Sequence, residues 1–229
     1  MATKLTSTGI TYPNGTSQSV RYDKDLDAQG ELIQINSYPP GDSHNVTVSG
    51  TWTWSKPSGC RYVRAIVVGG GGGSCAHGEA GAAGGMAEKM IDVTGVSSVT
   101  VTVGGRGWGG GYYSNCGDGG TSSFGPYVSA GGGYGANRNW GHTGGHGGNA
   151  HGGDINVWGG GGSGHDNRGG KGGQSFYGGS KFPGWGNNSW GYSGEDHYMA
   201  PGSGGSSCHS NHGRGGYGAS GIVVVYSYR

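Results

Sequence analysis

The chain has 229 residues, of which 60 are glycine, 31% apolar and 12% charged, with a formal net charge of +1. Average usage is ~7% glycine, so an ordinary side-chain core is excluded for much of the chain. A charge this close to zero excludes a general attraction to nucleic acid or to anionic membranes. The longest apolar runs, Ala65 to Val68 and Ile222 to Tyr226, fall far short of the ~20 residues that cross a bilayer. No basic-then-apolar leader follows Met1, so the expectation is synthesis and assembly in a cytoplasm, without membrane insertion.

Residues 1 to 29 are polar, and Thr11-Tyr12-Pro13-Asn14-Gly15-Thr16 reads as a turn between short extended pieces. Leu32 to Tyr38 has partial period-two character and stops at Pro39-Pro40-Gly41, as a strand does. Val46 to Val48 and Thr51 to Trp54 alternate likewise, and Tyr62 to Val68 is a strong β-branched strand that runs straight into glycine. Further extended pieces are Met86 to Val93, Ser98 to Val103, Thr121 to Phe124, Tyr127 to Ser129, Asp154 to Trp158 and the closing Gly221 to Tyr228. No helical periodicity of any length occurs. Three parts result: an extended N-terminal attachment segment (1–29), a β-strand region (30–68) and a glycine-rich domain with aromatic loops and a closing strand (69–229).

Six glycines precede Gly69 and none follows Gly221, which leaves 54 within 153 residues. Collagen requires glycine strictly every third residue and abundant proline; the spacing here reads as irregular and there are seven prolines. Disorder is the usual fate of glycine-rich sequence. Strong strands at both ends and in the middle, with 24 aromatics, argue against it. The remaining reading is a packed array of polyglycine II helices. A helix of this type has three residues per turn and no internal hydrogen bonds, so glycine rods without Cβ atoms approach closely enough to bond one another and satisfy buried backbone groups. Short rods such as Gly104 to Gly107, Gly144 to Gly148, Gly159 to Gly162 and Gly169 to Gly173 alternate with segments rich in Trp, Tyr, His and Asn: Trp108 to Cys116, Tyr134 to Thr143, His165 to Arg168, Ser180 to Met199 and Ser206 to His212. The fold class expected is all-β with a non-regular glycine-rich architecture, strands framing a sandwich of polyglycine II helices.

Gly30-Glu31-Leu32-Ile33-Gln34, Thr51-Trp52-Thr53-Trp54, Pro57-Ser58-Gly59-Cys60 and Val63 to Gly73, then Val99 to Gly105, Gly119 to Gly125 and Gly218 to Tyr226 form an ordered series. This series resembles the glycine-rich domain of tailed-bacteriophage tail fibre and adhesin proteins over about residues 30 to 229. Gly9 to Gln18 resembles a short motif of phage fibre proteins. The resemblance implies a polyglycine II sandwich whose apical loops contact a receptor on a bacterial surface, either an outer-membrane protein or a polysaccharide. It implies location on a virion at a tail fibre or tail tip, with other tail or fibre proteins as partners; a homo-oligomer such as a trimer stays open, since residues 1 to 50 carry no clear trimerisation repeat. The N-terminal part departs from the fibre-tip attachment domain of the T-even adhesins.

Large aromatics among Asn and Ser are the makings of an adaptable binding surface. On this ground the receptor-binding candidates are Trp108, Tyr112, Tyr113, Tyr134, Trp140, Phe182, Trp185, Trp190, Tyr192, His197 and Tyr198, with the Ser180 to Met199 loop foremost; the bland reading is that aromatics cap the rods. Trp52 and Trp54 lie on strands and read as packing. His142, His146 and His151, or Cys208, His209 and His212, lack the paired spacing of zinc sites, so no metal and no cofactor is expected. Arg106, Arg168 and Arg214 open glycine runs as RNA-binding RGG segments do, but three isolated cases in a near-neutral chain do not make a nucleic-acid partner. Glu195 and Asp196 are sequence neighbours, and neighbours rarely face each other across a glycosidic bond; no enzyme is expected. Cys60, Cys75, Cys116 and Cys208 form no CxxC pair, and the lack of a leader favours free thiols. The alternatives to an adhesin are a structural virion protein, such as a head fibre or decoration protein, and an ice-binding array, which the bulky aromatics fit poorly.

Overall fold

The computed structural model describes residues 4–6, 9–11, 17–18, 32–38, 49–76, 78–111, 114–137, 143–164, 169–179, 199–207 and 215–229. Among them the fold is all-β, without a helix. Three short strands, β1 (Lys4–Thr6), β2 (Gly9–Thr11) and β3 (Ser17–Gln18), form a small antiparallel sheet. The remaining strands are β4 (Leu32–Tyr38), β5 (Gly50–Ser55), β6 (Tyr62–Val68), β7 (Met86–Asp92), β8 (Ser98–Val103), β9 (Ser122–Phe124), β10 (Val128–Ala130), β11 (Ala150–His151), β12 (Ile155–Val157) and β13 (Ile222–Tyr228). They make two five-stranded antiparallel sheets, ordered β11-β10-β9-β8-β5 and β12-β7-β6-β13-β4.

Strand periodicity explains how the two sheets face each other. In β8 and β13 buried and more exposed residues alternate, so Val99, Val101 and Val103 meet Val223 and Val225 in one apolar layer. Trp54 and Phe124 are fully buried there with ring centroids 5.7 Å apart, edge to face, and Trp52 packs on Tyr38 at 6.0 Å. Both tryptophans are therefore packing residues, as their place on a strand suggests. On the outer face of the β6 sheet, Arg64 grips Glu88 with two hydrogen bonds of 2.7 and 3.0 Å and lies 5.7 Å over the Tyr226 ring.

The chain then leaves the sheets without a break in direction. Residues 69–75 continue β6, and 80–85 lead back into β7. Residues 104–110 continue β8, 117–121 enter β9, 131–136 leave β10, 144–149 enter β11, 159–163 follow β12 and 215–221 enter β13. Two more segments, 170–174 and 202–207, have no strand of their own. In 69–75 the N–H donors rotate among three neighbours with period three: Gly69 and Gly72 donate to Gly85 and Ala82, Gly70 and Gly73 to Gly120 and Gly117, and Gly71 and Ser74 to Ala219 and Gly216, at 2.8–3.0 Å. Its carbonyls accept from three others, 104–110, 131–136 and 202–207. Segment 80–85 behaves the same way. It donates to 159–163, 202–207 and 131–136 and accepts from 69–75, 144–149 and 170–174.

Two adjacent rods with six neighbours each, sharing two, define a hexagonal patch of ten. The bonds between the outer rods close this ring and sort the rods into three layers: 117–121, 131–136 and 144–149; then 104–110, 69–75, 80–85 and 159–163; then 215–221, 202–207 and 170–174. Backbone groups that ordinary folds pair within helices and sheets are paired here between rods. Glycine is required where neighbouring carbonyls crowd. A methyl group on Gly70, Gly71 or Gly72 would overlap the carbonyl of Gly105, Ser203 or Tyr134.

One expectation is refined and one corrected. The glycine spacing is irregular along the chain, as 104–110 and 159–163 show, but 144–149 and 170–174 carry a local period of three. In Thr143-Gly144-Gly145-His146-Gly147-Gly148-Asn149 every third residue carries a side chain and is exposed, in step with the backbone donors, of which Gly145 and Gly148, three apart, both bond to 80–85. The cysteines are not all thiols. Cys75 and Cys116 form a disulfide with Cα atoms 5.8 Å apart, since the lattice sets the ends of 69–75 and 117–121 side by side. Cys60 is a buried thiol whose pKa is pushed up by desolvation.

Candidate binding surface at the loop end of the array

Connections on one side of the array belong to the sheets: β7 to β8, β9 to β10, and β11 to β12. At the other end, away from the sheets, stand the described residues that flank 77, 112–113, 138–142, 165–168 and 208–214, as the bonds Ala80 to Ser163, Gly215 to Gly110 and Ser207 to Gly170 establish. The turn at 75–79 joins the two central rods and is closed by Cys75 N–H on the Glu79 carbonyl at 3.0 Å; Glu79 is fully buried in it. Ser74, also buried, donates its hydroxyl to the Ser206 carbonyl at 2.7 Å. The disulfide ties this centre to the neighbouring connection 111–116.

Of the candidate residues, Trp108 and Tyr134 are described. Both were assigned to loops and both are rod residues. The Trp108 carbonyl accepts the Gly117 N–H at 2.9 Å, the Tyr134 N–H donates to His146 at 3.0 Å, and the Tyr134 carbonyl accepts from Ala82 at 3.0 Å. The rods run on past these aromatics because an outward position of a three-residue turn holds a side chain of any size. Trp108 is 51% exposed, and its indole lies over Gly117, where a methyl group would collide with it; it shields the rod edge while keeping one face open. Tyr134 is 56% exposed.

Tyr112, Tyr113, Trp140, Phe182, Trp185, Trp190, Tyr192, His197 and Tyr198 lie outside the described residues. Their anchors are described. Gly111 and Ser114 bracket Tyr112 and Tyr113, with the Gly111 N–H on the Ser114 hydroxyl at 2.6 Å. Asn137 and Thr143 bracket Trp140 and form an isolated antiparallel bridge. The segment foremost in the sequence reading, Ser180 to Met199, departs from and returns to the sheet end, since 170–174 reaches that end at Gln174 and 202–207 starts there at Gly202. Its anchors and those of the other aromatic connections therefore stand at opposite ends.

Beside Tyr134 a half-open cleft of roughly 590 Å³ is lined by Asn115, Cys116, Asp118, Tyr134, Ala136, Asn137, Thr143 and His146. The signal that would have found Asp118 and His146 is the Gly-Gly-X triplet, which sets Asp118, Tyr134 and His146 on one outer layer. Asp118 also accepts the Gly135 N–H at 2.7 Å.

Other charged residues contact the backbone or an aromatic ring. Asp154 accepts the Met90 N–H at 2.9 Å, Asp92 accepts from Thr94 at 2.8 Å, and Arg106 stacks on the Tyr217 ring at 4.4 Å. Arg168, Arg214, Glu195 and Asp196 lie outside the described residues. Among the described residues no group of three His, Cys, Asp or Glu is disposed to hold a metal ion, and no helix is long and apolar enough to cross a membrane.

A protein family described as a glycine-rich domain matches residues 46–228. No curated protein matches the chain.

Proposed function

The chain belongs to the glycine-rich domain family, and from that premise we propose that it is a host-recognition adhesin of a tailed bacteriophage, carried at the tip of a tail fibre or tail. In this reading the ten rods are polyglycine II helices, supported by the period-three rotation of their donors. The β-sandwich faces the particle and other tail or fibre proteins. The opposite end meets an outer-membrane protein or polysaccharide of the bacterium. The role is binding, without catalysis or cofactor.

One observation carries the reading: the described residues that flank Tyr112, Tyr113, Trp140 and several histidines in sequence stand at one end of the array, on a support bonded through its backbone in every direction. Aromatic side chains with Asn, Ser and Gly are well suited to adaptable recognition, and rigid anchoring lowers the entropic cost of binding. The likeness of Gly9 to Gln18 and of the ordered motifs from Gly30 to Tyr226 to phage fibre proteins agrees with it. The test is adsorption. Purified chain is expected to bind susceptible bacteria and to block phage attachment in proportion to its concentration. Absence of both on any susceptible host overturns the proposal, and microscopy locating the chain on a phage head would replace it with a structural role.

A further inference from the structure

We propose that the cleft on the outer layer of the array is a saccharide subsite for neutral hexose units, with Tyr134 as the stacking platform. This rests on the adhesin reading and names a ligand class for a place other than the loop tips. Three adjacent rods supply the site. Their register is fixed by backbone bonds: Gly119 N–H on Gly133 at 2.9 Å, Tyr134 N–H on His146 at 3.0 Å, and Gly135 N–H on the Asp118 carboxylate at 2.7 Å. Since each turn spends three residues, Asp118, Tyr134 and His146 come out on the same face, all exposed. One turn further along, the Asn137–Thr143 bridge closes the rim at 3.3 Å.

The size and chemistry of the cleft select the ligand. At roughly 590 Å³ it lies within the range of small-ligand sites, ~300–1,000 Å³. A tyrosine ring offers a flat apolar face that matches the C–H face of a pyranose. Around it stand a carboxylate that accepts, an imidazole that does both, and an amide and a hydroxyl that do both. Those groups match the alternating donors and acceptors of sugar hydroxyls. An acidic sugar would bring its carboxylate towards Asp118 and be repelled. An alkyl chain would displace water from the exposed Asp118 and His146 side chains without replacing its hydrogen bonds, at a cost. The disulfide from Cys116, itself part of the lining, ties one wall of the cleft to the central rod, so the site is formed before the ligand arrives.

Saturation-transfer NMR on the full chain tests this, with maltotriose, chitotriose and delipidated core oligosaccharide from a susceptible host as probes and glucose as the free-sugar arm. At least one neutral oligosaccharide is expected to receive saturation on its ring protons. Tyr134→Ala is expected to weaken it by about tenfold or more, a loss of roughly 1.4 kcal/mol, and Tyr134→Phe to retain it. Trp158→Ala, at a 73% exposed aromatic between β12 and the rod 159–163, outside the cleft lining, is expected to change nothing. Unchanged amide resonances of Gly133 and Gly145 show that the lattice tolerates Tyr134→Ala. No transfer to any neutral probe, transfer to glucose alone, or equal binding by Tyr134→Ala overturns the subsite. Chain that still adsorbs to cells after that result keeps the adhesin reading and points to a protein receptor. Saccharide binding without adsorption keeps the subsite and overturns the adhesin reading.

Discussion

The sandwich and the rod array are made by one continuous chain, but they exclude water with different atoms. Between the sheets, Trp54, Phe124 and a bed of valines fill space with side chains, and the gain comes from apolar surface removed from water, ~25 cal/mol per Å². In the array 69–75 has almost no side chains to bury, and each donor from Gly69 to Ser74 instead reaches a carbonyl of another rod, at a net ~0.5–1.5 kcal/mol per bond. The first kind of core tolerates exchanges of similar volume. The second tolerates no added volume at its centre, because the neighbour is backbone on every side. What decides tolerance is position in the lattice, not the identity of the residue as glycine.

The largest effect expected follows from this. Gly71→Ala puts a methyl group into the Ser203 carbonyl, and the loss should exceed about 4 kcal/mol, the range reserved for broken backbone or core arrangements. Chain that folds with this substitution, judged by denaturant unfolding, would break the comparison. Trp54→Ala comes next at about 3–5 kcal/mol; Trp54→Phe should cost less, since the indole N–H meets no acceptor among the described residues.

Cys116→Ser opens a crosslink over 41 residues, worth about 2–4 kcal/mol. Amide exchange should rise first around 114–117, with β6 and β13 little changed; uniform loss of protection would show the two regions to be one cooperative unit.

A smaller effect depends on pH. The Thr94 hydroxyl and then its N–H hold the Asp92 carboxyl below the usual carboxylate range. Its contribution is present above the unfolded value of ~3.9 and is lost as pH falls through the lower folded value. An NMR titration of Asp92 should therefore show a midpoint below that of a free carboxylate, and Thr94→Val should raise it. The smallest effect expected is that of Gly161→Ala. Gly161 is exposed on the edge rod and finds no backbone acceptor among the described residues, so the change should stay within about 0.5 kcal/mol. Its amide should exchange fast while Gly160 and Gly162, bonded to Gln174 and Gly145, stay protected.

The sequence shows the strands and the rods in different degrees. β6, β8 and β13 are legible because β-branched alternation reports directly which face is buried. Rods are legible as glycine runs, but their ends are not. Trp108 and Tyr134 look like loop residues until the three-residue turn is counted from the side chains and not from the glycines. Thr143, His146 and Asn149 carry that count in plain view. The neighbour of each rod is not legible at all: glycine offers no pattern to match, and Ser74 finds Gly216 across 142 positions. That is also why the Cys75–Cys116 bond escapes a reading based on redox compartment, which says nothing about which cysteines a lattice brings together.

The three-residue turn also sets what insertions and deletions the molecule accepts. Removing a single residue from 131–136 turns everything beyond it by a third of a rotation, so that Tyr134 would enter the lattice and a glycine would take its place outside. Removing three shortens the rod and leaves every facing intact. The described rod ends obey a different constraint: Asn137 and Thr143 are held to each other by their bridge, whatever lies between them in the chain. Within a rod, change is therefore permitted only by whole periods of three.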